Sequence, residues 1–300
     1  RVILVTRKPK SMSPMLNIVV AVGFMAGLGL ILATVLVIAN RRLFVYEDPK
    51  IDEVEELLPH ANCGACGTAG CRVFAEKLVV GELQPGACTV NSAEMNQIIA
   101  NYLGVELGSQ EAQVARLACA GGSNVAQRYG DYQGVESCRA AALVAGGGKG
   151  CAWGCLGLAD CERVCDFDAI IMDRHDLPQV IDDLCTACGD CIDICPRDLF
   201  SLQPASHRLW VACKNLEKGD LAEAECVVAC NGCGRCAADA PGDLVTMVNN
   251  LAVIDYSQNA HASRVAIERC PTGAIVWLEG GVHKGQEAVR IVRKEALPLK

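Results

Sequence analysis

Twenty cysteines among 300 residues carry most of the chemistry this chain can offer, and their spacing says which chemistry. Cys185-Thr-Ala-Cys188-Gly-Asp-Cys191-Ile-Asp-Ile-Cys195-Pro196 follows C-x2-C-x2-C-x3-C-P residue for residue, the bacterial run that ligates iron–sulfur clusters. Its short loops let three thiolates cap one cubane, while the fourth Cys reaches the neighbouring cluster. A disulfide framework would scatter its cysteines. Zinc knuckles would pair two C-x2-C units or add histidines, and the five His residues stand at none of those spacings.

The cross-ligated partner lies upstream. In two-cluster modules each motif gives three cysteines to one cluster and its fourth to the other. Counting back from Cys165, a regular motif wants Cys at 161, 158 and 155, and position 158 is Leu. Cys151, one helical turn before Cys155, is the expected substitute. One [4Fe–4S] site is then Cys151, Cys155, Cys161 and Cys195, and another is Cys165, Cys185, Cys188 and Cys191. If Cys151 does not reach, three thiolates remain and a [3Fe–4S] centre is expected instead.

Two more sites flank this pair. Cys63-Gly-Ala-Cys66-Gly-Thr-Ala-Gly-Cys71, with Cys88 further on, reads as a compact one-cluster domain whose glycines bring backbone amides to the cluster sulfurs. Further along, Cys230-Asn-Gly-Cys233-Gly-Arg-Cys236-Ala-Ala-Asp-Ala240-Pro241 keeps the run except for its fourth ligand. Counting back from Cys270-Pro271 in the partner motif meets Ala266, Ser263 and Ala260. All four ligands of one site are missing together. The other four, Cys230, Cys233, Cys236 and Cys270, all remain. Cys138-x12-Cys151-x3-Cys155 is echoed by Cys213-x12-Cys226-x3-Cys230, so both modules carry one leader. Cys119, Cys138, Cys213 and Cys226 are spare here and read as small buried hydrophobes. The expected cofactor load is about four [4Fe–4S] clusters.

These ligands need elements to hold them. Leu16 to Ala39 is almost wholly apolar, long enough for a hydrocarbon core of about 30 Å. Arg41 and Arg42 follow this span and Arg1, Arg7, Lys8 and Lys10 precede it, so the charges as written do not orient it; counted from Met12 or Met15 they put the C-terminal bulk in the cytoplasm. Asp48-Pro49, Ile51, Val54, Leu57 and Leu58 predict a capped amphipathic helix. A second helix is predicted over Asn91 to Leu103 with Met95, Ile98, Ile99 and Tyr102 inward. The expected fold class is α+β with one transmembrane helix, a small α-helical one-cluster domain and two tandem bacterial ferredoxin-like modules. Residues 1–15 form a leader, 16–39 the span, 47–106 the one-cluster domain and 112–206 the two-cluster module. Residues 207–282 form the degenerate module with one cluster, and 283–300 a tail.

Composition closes other routes. A net charge of −8 argues against nucleic acid, which needs a basic footprint. No G-x-x-x-x-G-K-[ST], G-x-S-x-G, H-E-x-x-H or strand–G-x-G-x-x-G–helix unit occurs, so neither a phosphate loop nor a dinucleotide site of its own is expected.

A membrane span, then C-G-A-C-G-x3-C with a distant Cys, then Gly150-Cys151-x3-Cys155-Leu-Gly-Leu and ferredoxin motifs, resembles the B subunit of the Rnf complex. That complex is the membrane-bound, ion-translocating ferredoxin:NAD oxidoreductase, and the resemblance covers roughly residues 15 to 282. It implies an electron-transfer subunit in the inner membrane, single-pass, with its clusters on the cytoplasmic side. Its partners would be the other Rnf subunits and soluble ferredoxin or flavodoxin, with nicotinamide chemistry left to another subunit. It would be an enzyme only as part of that translocase, with no catalytic substrate site of its own. The alternatives are an iron–sulfur subunit of another membrane hydrogenase or dehydrogenase, and a zinc-stapled interaction protein.

Overall fold

The computed structural model describes residues 14–43, 47–108, 111–290 and 295–300; the expected leader lies outside them except for its last two residues. The chain divides into two compact units, Arg1–Ile51 and Asp52–Lys300. In the first, helix α1 spans Pro14–Leu43 and ends on Arg41 and Arg42. Its stretch Ile18–Leu43 is apolar and long enough to cross a membrane: 26 residues rise about 39 Å at 1.5 Å each. Val22, Phe24, Leu30 and Leu36 are exposed, an arrangement that water would penalise and lipid would not.

Helix α2 (Pro49–Glu56) leads into the second unit. Val54 and Leu58 are buried there, as their spacing predicts. Helix α3 (Cys71–Val80) buries Phe74, Ala75 and Leu78 and stops at Gly81, whose φ of 81° is the left-handed closing residue. Helix α4 (Ala93–Leu103) opens on Ser92, whose Oγ accepts from the Met95 N–H at 3.2 Å. Its buried face is Asn96, Ile99 and Ala100, whereas Ile98 and Tyr102 are exposed. The predicted stripe is rotated because the helix packs along i, i+3, i+4 from Asn96. The Asn96 amide anchors that face by donating to the Cys88 carbonyl at 3.1 Å.

Beyond residue 111 the same set of elements occurs twice. First come β1 (Gln113–Leu117), α5 (Cys138–Leu143), α6 (Asp160–Arg163), β2 (Ile170–Met172), β3 (Pro178–Val180), α7 (Asp190–Ile194) and β4 (Phe200–Pro204). Strand β1 pairs antiparallel with β4, Leu117 opposite Phe200, and β2 pairs with β3 as a hairpin. Then follow β5 (Leu209–Val211), α8 (Asp220–Glu225), α9 (Arg235–Asp239), β6 (Val245–Val248), β7 (Leu251–Ile254), α10 (Val265–Glu268), β8 (Ile275–Leu278) and β9 (Val282–His283). Here β5 pairs with β8, to which β9 adds an edge, and β6 pairs with β7. Each half is thus an outer strand pair, an inner hairpin and three short helices. Asn249 and Asn250, with φ of 48° and 66°, make the tight β6–β7 turn that asparagine tolerates best among non-glycine residues.

The halves are joined by packing. Trp210 and Val276 of the second half cluster with Ala118 of the first, and the Trp210 indole donates to the Leu117 carbonyl at 2.9 Å. Residues 122–128 lie along 222–229, with Ala126 bridged to Cys226 and the Gln127 N–H donating to the Glu225 carbonyl at 2.8 Å.

Candidate metal centres

In the domain after α2, Asn62 sets the local geometry: its Oδ1 accepts from the Cys71 N–H at 2.8 Å, where α3 starts. Gly70 is required at this point because a Cβ would stand 2.8 Å from that oxygen. Burial pushes the Cys88 thiol above its ordinary value, and the neighbouring sulfurs of Cys66 and Cys63 push the same way. The Thr68 hydroxyl lies 3.1 Å from Cys66 Sγ. Cys63, Cys66 and Cys88 are therefore neighbours in space, while Cys71 stands at the start of α3.

In the first half, Cys165, Cys185, Cys188 and Cys191 line one cavity, together with Phe167 and Ile170. Three come from the expected run and the fourth from the end of the upstream motif, so the chain crosses itself as the spacing requires. The Ala115 N–H points at Cys185 Sγ at 3.4 Å, the kind of amide–sulfur contact that tunes a bound cluster. Burial raises the Cys191 thiol to about 12.

A second cavity in this half holds Cys138, Cys155, Cys161 and Cys195. Cys151 does not line it. The residues from Cys151 to Cys155 form a turn closed by the Gly154 N–H on the Cys151 carbonyl at 3.1 Å, not the helical turn the spacing predicts. The two thiols therefore diverge. Cys138 stands where Leu158 left a gap, carried in by α5. Buried Asp160 holds it there, accepting from the Ser137 hydroxyl at 2.9 Å and the Arg139 N–H at 3.3 Å. Burial lifts Cys161 to about 12 and Cys155 well above its ordinary range.

The second half holds one such cavity, lined by Cys230, Cys233, Cys236 and Cys270. Cys236 is raised to about 12 by burial, while Cys233 is the one exposed cysteine of the chain. Where a second cavity would lie, Ala240 and Ala266 are buried with Leu244 and Ile267 in an apolar cluster. A last cavity lies between the halves and is lined by Cys119, Cys151, Cys213 and Cys226. The four cavities have empty volumes of 320 to 340 Å³. Among the described residues no three His, Cys, Asp or Glu side chains converge tightly enough for a single ion. Thiols this buried must shed protons to become ligands, so metal binding and proton release are coupled.

Sequence reasoning passed over Cys119, Cys138, Cys213 and Cys226. The repeated leader Cys-x12-Cys-x3-Cys was the available signal, although it equates Cys138 with Cys213 and the structure puts them in different cavities.

Comparisons with known proteins point to the same chemistry. A family described as "Putative Fe-S cluster" matches residues 58–90, and a 4Fe-4S binding domain matches residues 178–200. The chain is 37% identical over 279 residues to the B subunit of the Na(+)-translocating ferredoxin:NAD(+) oxidoreductase complex of Acetobacterium woodii, covering 93% of this chain and 83% of that one. The chain belongs to the B-subunit family of these complexes. It is 35% identical to the B subunit of the ion-translocating oxidoreductase complex of Methanosarcina acetivorans, across 85% of this chain and 96% of the relative. To the B subunit of the proton-translocating ferredoxin:NAD(+) oxidoreductase complex of Clostridium ljungdahlii it is 36% identical, over 87% and 93%. A subunit of an oxidoreductase complex, carrying iron–sulfur clusters and one candidate membrane helix, is therefore what this chain is.

Proposed function

We propose that this chain relays electrons through [4Fe–4S] clusters within a membrane-bound, ion-translocating ferredoxin:NAD oxidoreductase. Helix α1 crosses the membrane once, and Asp52–Lys300 stands on the cytoplasmic side with two tandem ferredoxin-like modules. The observation that carries the reading is the convergence around one cavity of Cys185, Cys188 and Cys191, which lie inside the 4Fe-4S match, with Cys165 from upstream of it. The same logic assigns clusters to Cys63, Cys66, Cys71 and Cys88, to Cys230, Cys233, Cys236 and Cys270, and to Cys138, Cys155, Cys161 and Cys195, with Cys138 in place of Cys151. When bound, each cubane supplies one-electron chemistry. The chain's own residues position the thiolates, exclude water and set the field around them.

An order follows from contacts. The Thr89 hydroxyl, next to Cys88, donates at 2.7 Å to the Thr186 carbonyl between Cys185 and Cys188, so the first domain abuts the Cys185 site. The distal Cys233 thiol is exposed, which suits exchange with a soluble ferredoxin or flavodoxin at that end. The Cys63 domain then exchanges with the membrane partners. The relatives named above differ in the ion their names carry, sodium in one and protons in another.

Iron and zinc analysis of the full chain, purified anaerobically in detergent, tests the reading. It expects a brown protein with about four irons per cysteine quartet; a colourless, zinc-loaded chain would end it. Replacing Cys63 by Ala should block exchange with membrane partners while a soluble donor still reduces the distal clusters. Equal loss of both activities rejects the order.

A further inference from the structure

The cavity between the halves is built by a rule. Cys119 lies two residues after β1 ends at Leu117, and Cys213 lies two residues after β5 ends at Val211. Each sulfur accepts the same pair of backbone N–H groups. Cys119 Sγ accepts from Gly121 and Cys155, both at 3.4 Å. Cys213 Sγ accepts from Asn215 at 3.4 Å and from Cys230 at 3.3 Å. The other two thiols are also equivalent, since Cys151 and Cys226 each precede the first cysteine of a motif by four positions. Two halves with one fold thus contribute two thiols apiece, in matching places, to one cavity.

Packing alone does not account for this. A small hydrophobe needs no amide pair aimed at its sulfur, whereas cluster thiolates are held and tuned by such contacts. Much of the remaining wall is small and apolar (Ala118, Ala212, Val228), with Trp153, Lys214 and Asn215 also lining it and Lys149 donating to the Gly121 carbonyl at 2.5 Å. A cation beside four thiolates offsets their charge. Each of the other three thiol cavities is likewise lined by four cysteines.

We infer that Cys119, Cys151, Cys213 and Cys226 ligate a fifth [4Fe–4S] cluster, shared between the two ferredoxin-like halves, so that all twenty cysteines are ligands. This rests on the electron-relay reading and completes it. This cluster would stand between the Cys155 site and the Cys230 site. With it, both outer sites touch the bridge through a single amide, Cys155 N–H to Cys119 and Cys230 N–H to Cys213. On binding, each thiol loses one proton and forms one Fe–S bond. In transit, one cubane goes from [4Fe–4S]+ to [4Fe–4S]2+ as its neighbour goes from [4Fe–4S]2+ to [4Fe–4S]+, with no atom or proton moved. The electron enters from a soluble one-electron carrier protein.

Iron and acid-labile sulfide counts decide the matter, on the full chain purified anaerobically in detergent. The parent should hold about twenty irons, five cubanes of four. The double variant Cys213→Ala/Cys226→Ala should hold about four fewer and lose one cluster signal from the reduced paramagnetic resonance spectrum. Mixed with dithionite-reduced ferredoxin and frozen at intervals, that variant should show one half reduced and the other lagging. A parent with about sixteen irons, or a double variant that keeps the parent's count, overturns the bridge. If the double variant does not fold, the parent's count alone decides: about twenty upholds the bridge and about sixteen refutes it. A parent without iron would instead overturn the electron-relay reading itself, so the two failures are told apart.

Discussion

The two halves of the cluster-bearing unit share strand pairing and helix placement, yet they hold themselves together differently. In the first, the buried core around β1, β2 and β4 is Ala115, Ile170 and Phe200 with Cys161 and Cys191 among them, and two thiol cavities take up the rest. In the second, one thiol cavity remains, and Leu209, Leu244, Ile267 and Ile275 are almost fully buried around Ala240 and Ala266. On the proposed assignment, the same place in the fold takes either a cubane or a packed apolar cluster. A cubane crosslinks several segments by covalent bonds, so the first half needs few large side chains. On that assignment the second half replaces one such crosslink by burial at roughly 25 cal/mol per Å².

Removing ligands should show the contrast at its largest. Cys270→Ala takes away the only cluster within the second half and is expected to cost about four irons, with proteolysis then cutting between Trp210 and Gly285. Cys188→Ala should cost the same iron, but the first half keeps its Cys155 site and should resist proteolysis. Equal protease sensitivity in the two variants would break the comparison.

A smaller effect is expected where apolar packing has replaced the cluster. Ala266 is fully buried, so Ala266→Leu should overpack the second half and cost about 1–3 kcal/mol, read as a lower anaerobic guanidinium midpoint with iron content unchanged. A neutral result would mean that space was left where the cubane once stood. The contact between halves should matter less again. Trp210→Phe keeps an aromatic ring of smaller size and leaves the Leu117 carbonyl without its donor, an expected loss of about 1 kcal/mol for the hydrogen bond. The least effect should come from Arg116→Ala. Its guanidinium grips Asp182 through both carboxylate oxygens at 2.7 and 2.8 Å, but Asp182 is well exposed, so about 0.5 kcal/mol, shrinking with added salt, is expected in denaturant titrations.

How much of this was legible depends on how local each ligand set is. The Cys185 run, the missing fourth ligand at Ala240 and the remaining Cys270 could be read from spacing because each motif's loops are too short to place its cysteines elsewhere. The span and α2 were legible for a related reason, since hydrophobic pattern acts within one helix. On α4 the pattern misled by one face: Ile98 and Tyr102 had to yield to Asn96, which burial alone would not choose but the Cys88 carbonyl rewards.

Sequence by itself determined that the cysteines serve iron–sulfur chemistry and brought out the ferredoxin runs from which the quartets are proposed. Tertiary structure decided the rest. It separated Cys151 from Cys155 by a turn, brought Cys138 in on α5 under the hold of Asp160, and gathered Cys119, Cys151, Cys213 and Cys226 at one boundary. The physical reason is reach. Spacing constrains a ligand only when the connecting chain is short, whereas thiols that follow two equivalent strands in separate halves meet only once β1, β5 and the 122–128 and 222–229 segments have packed against each other.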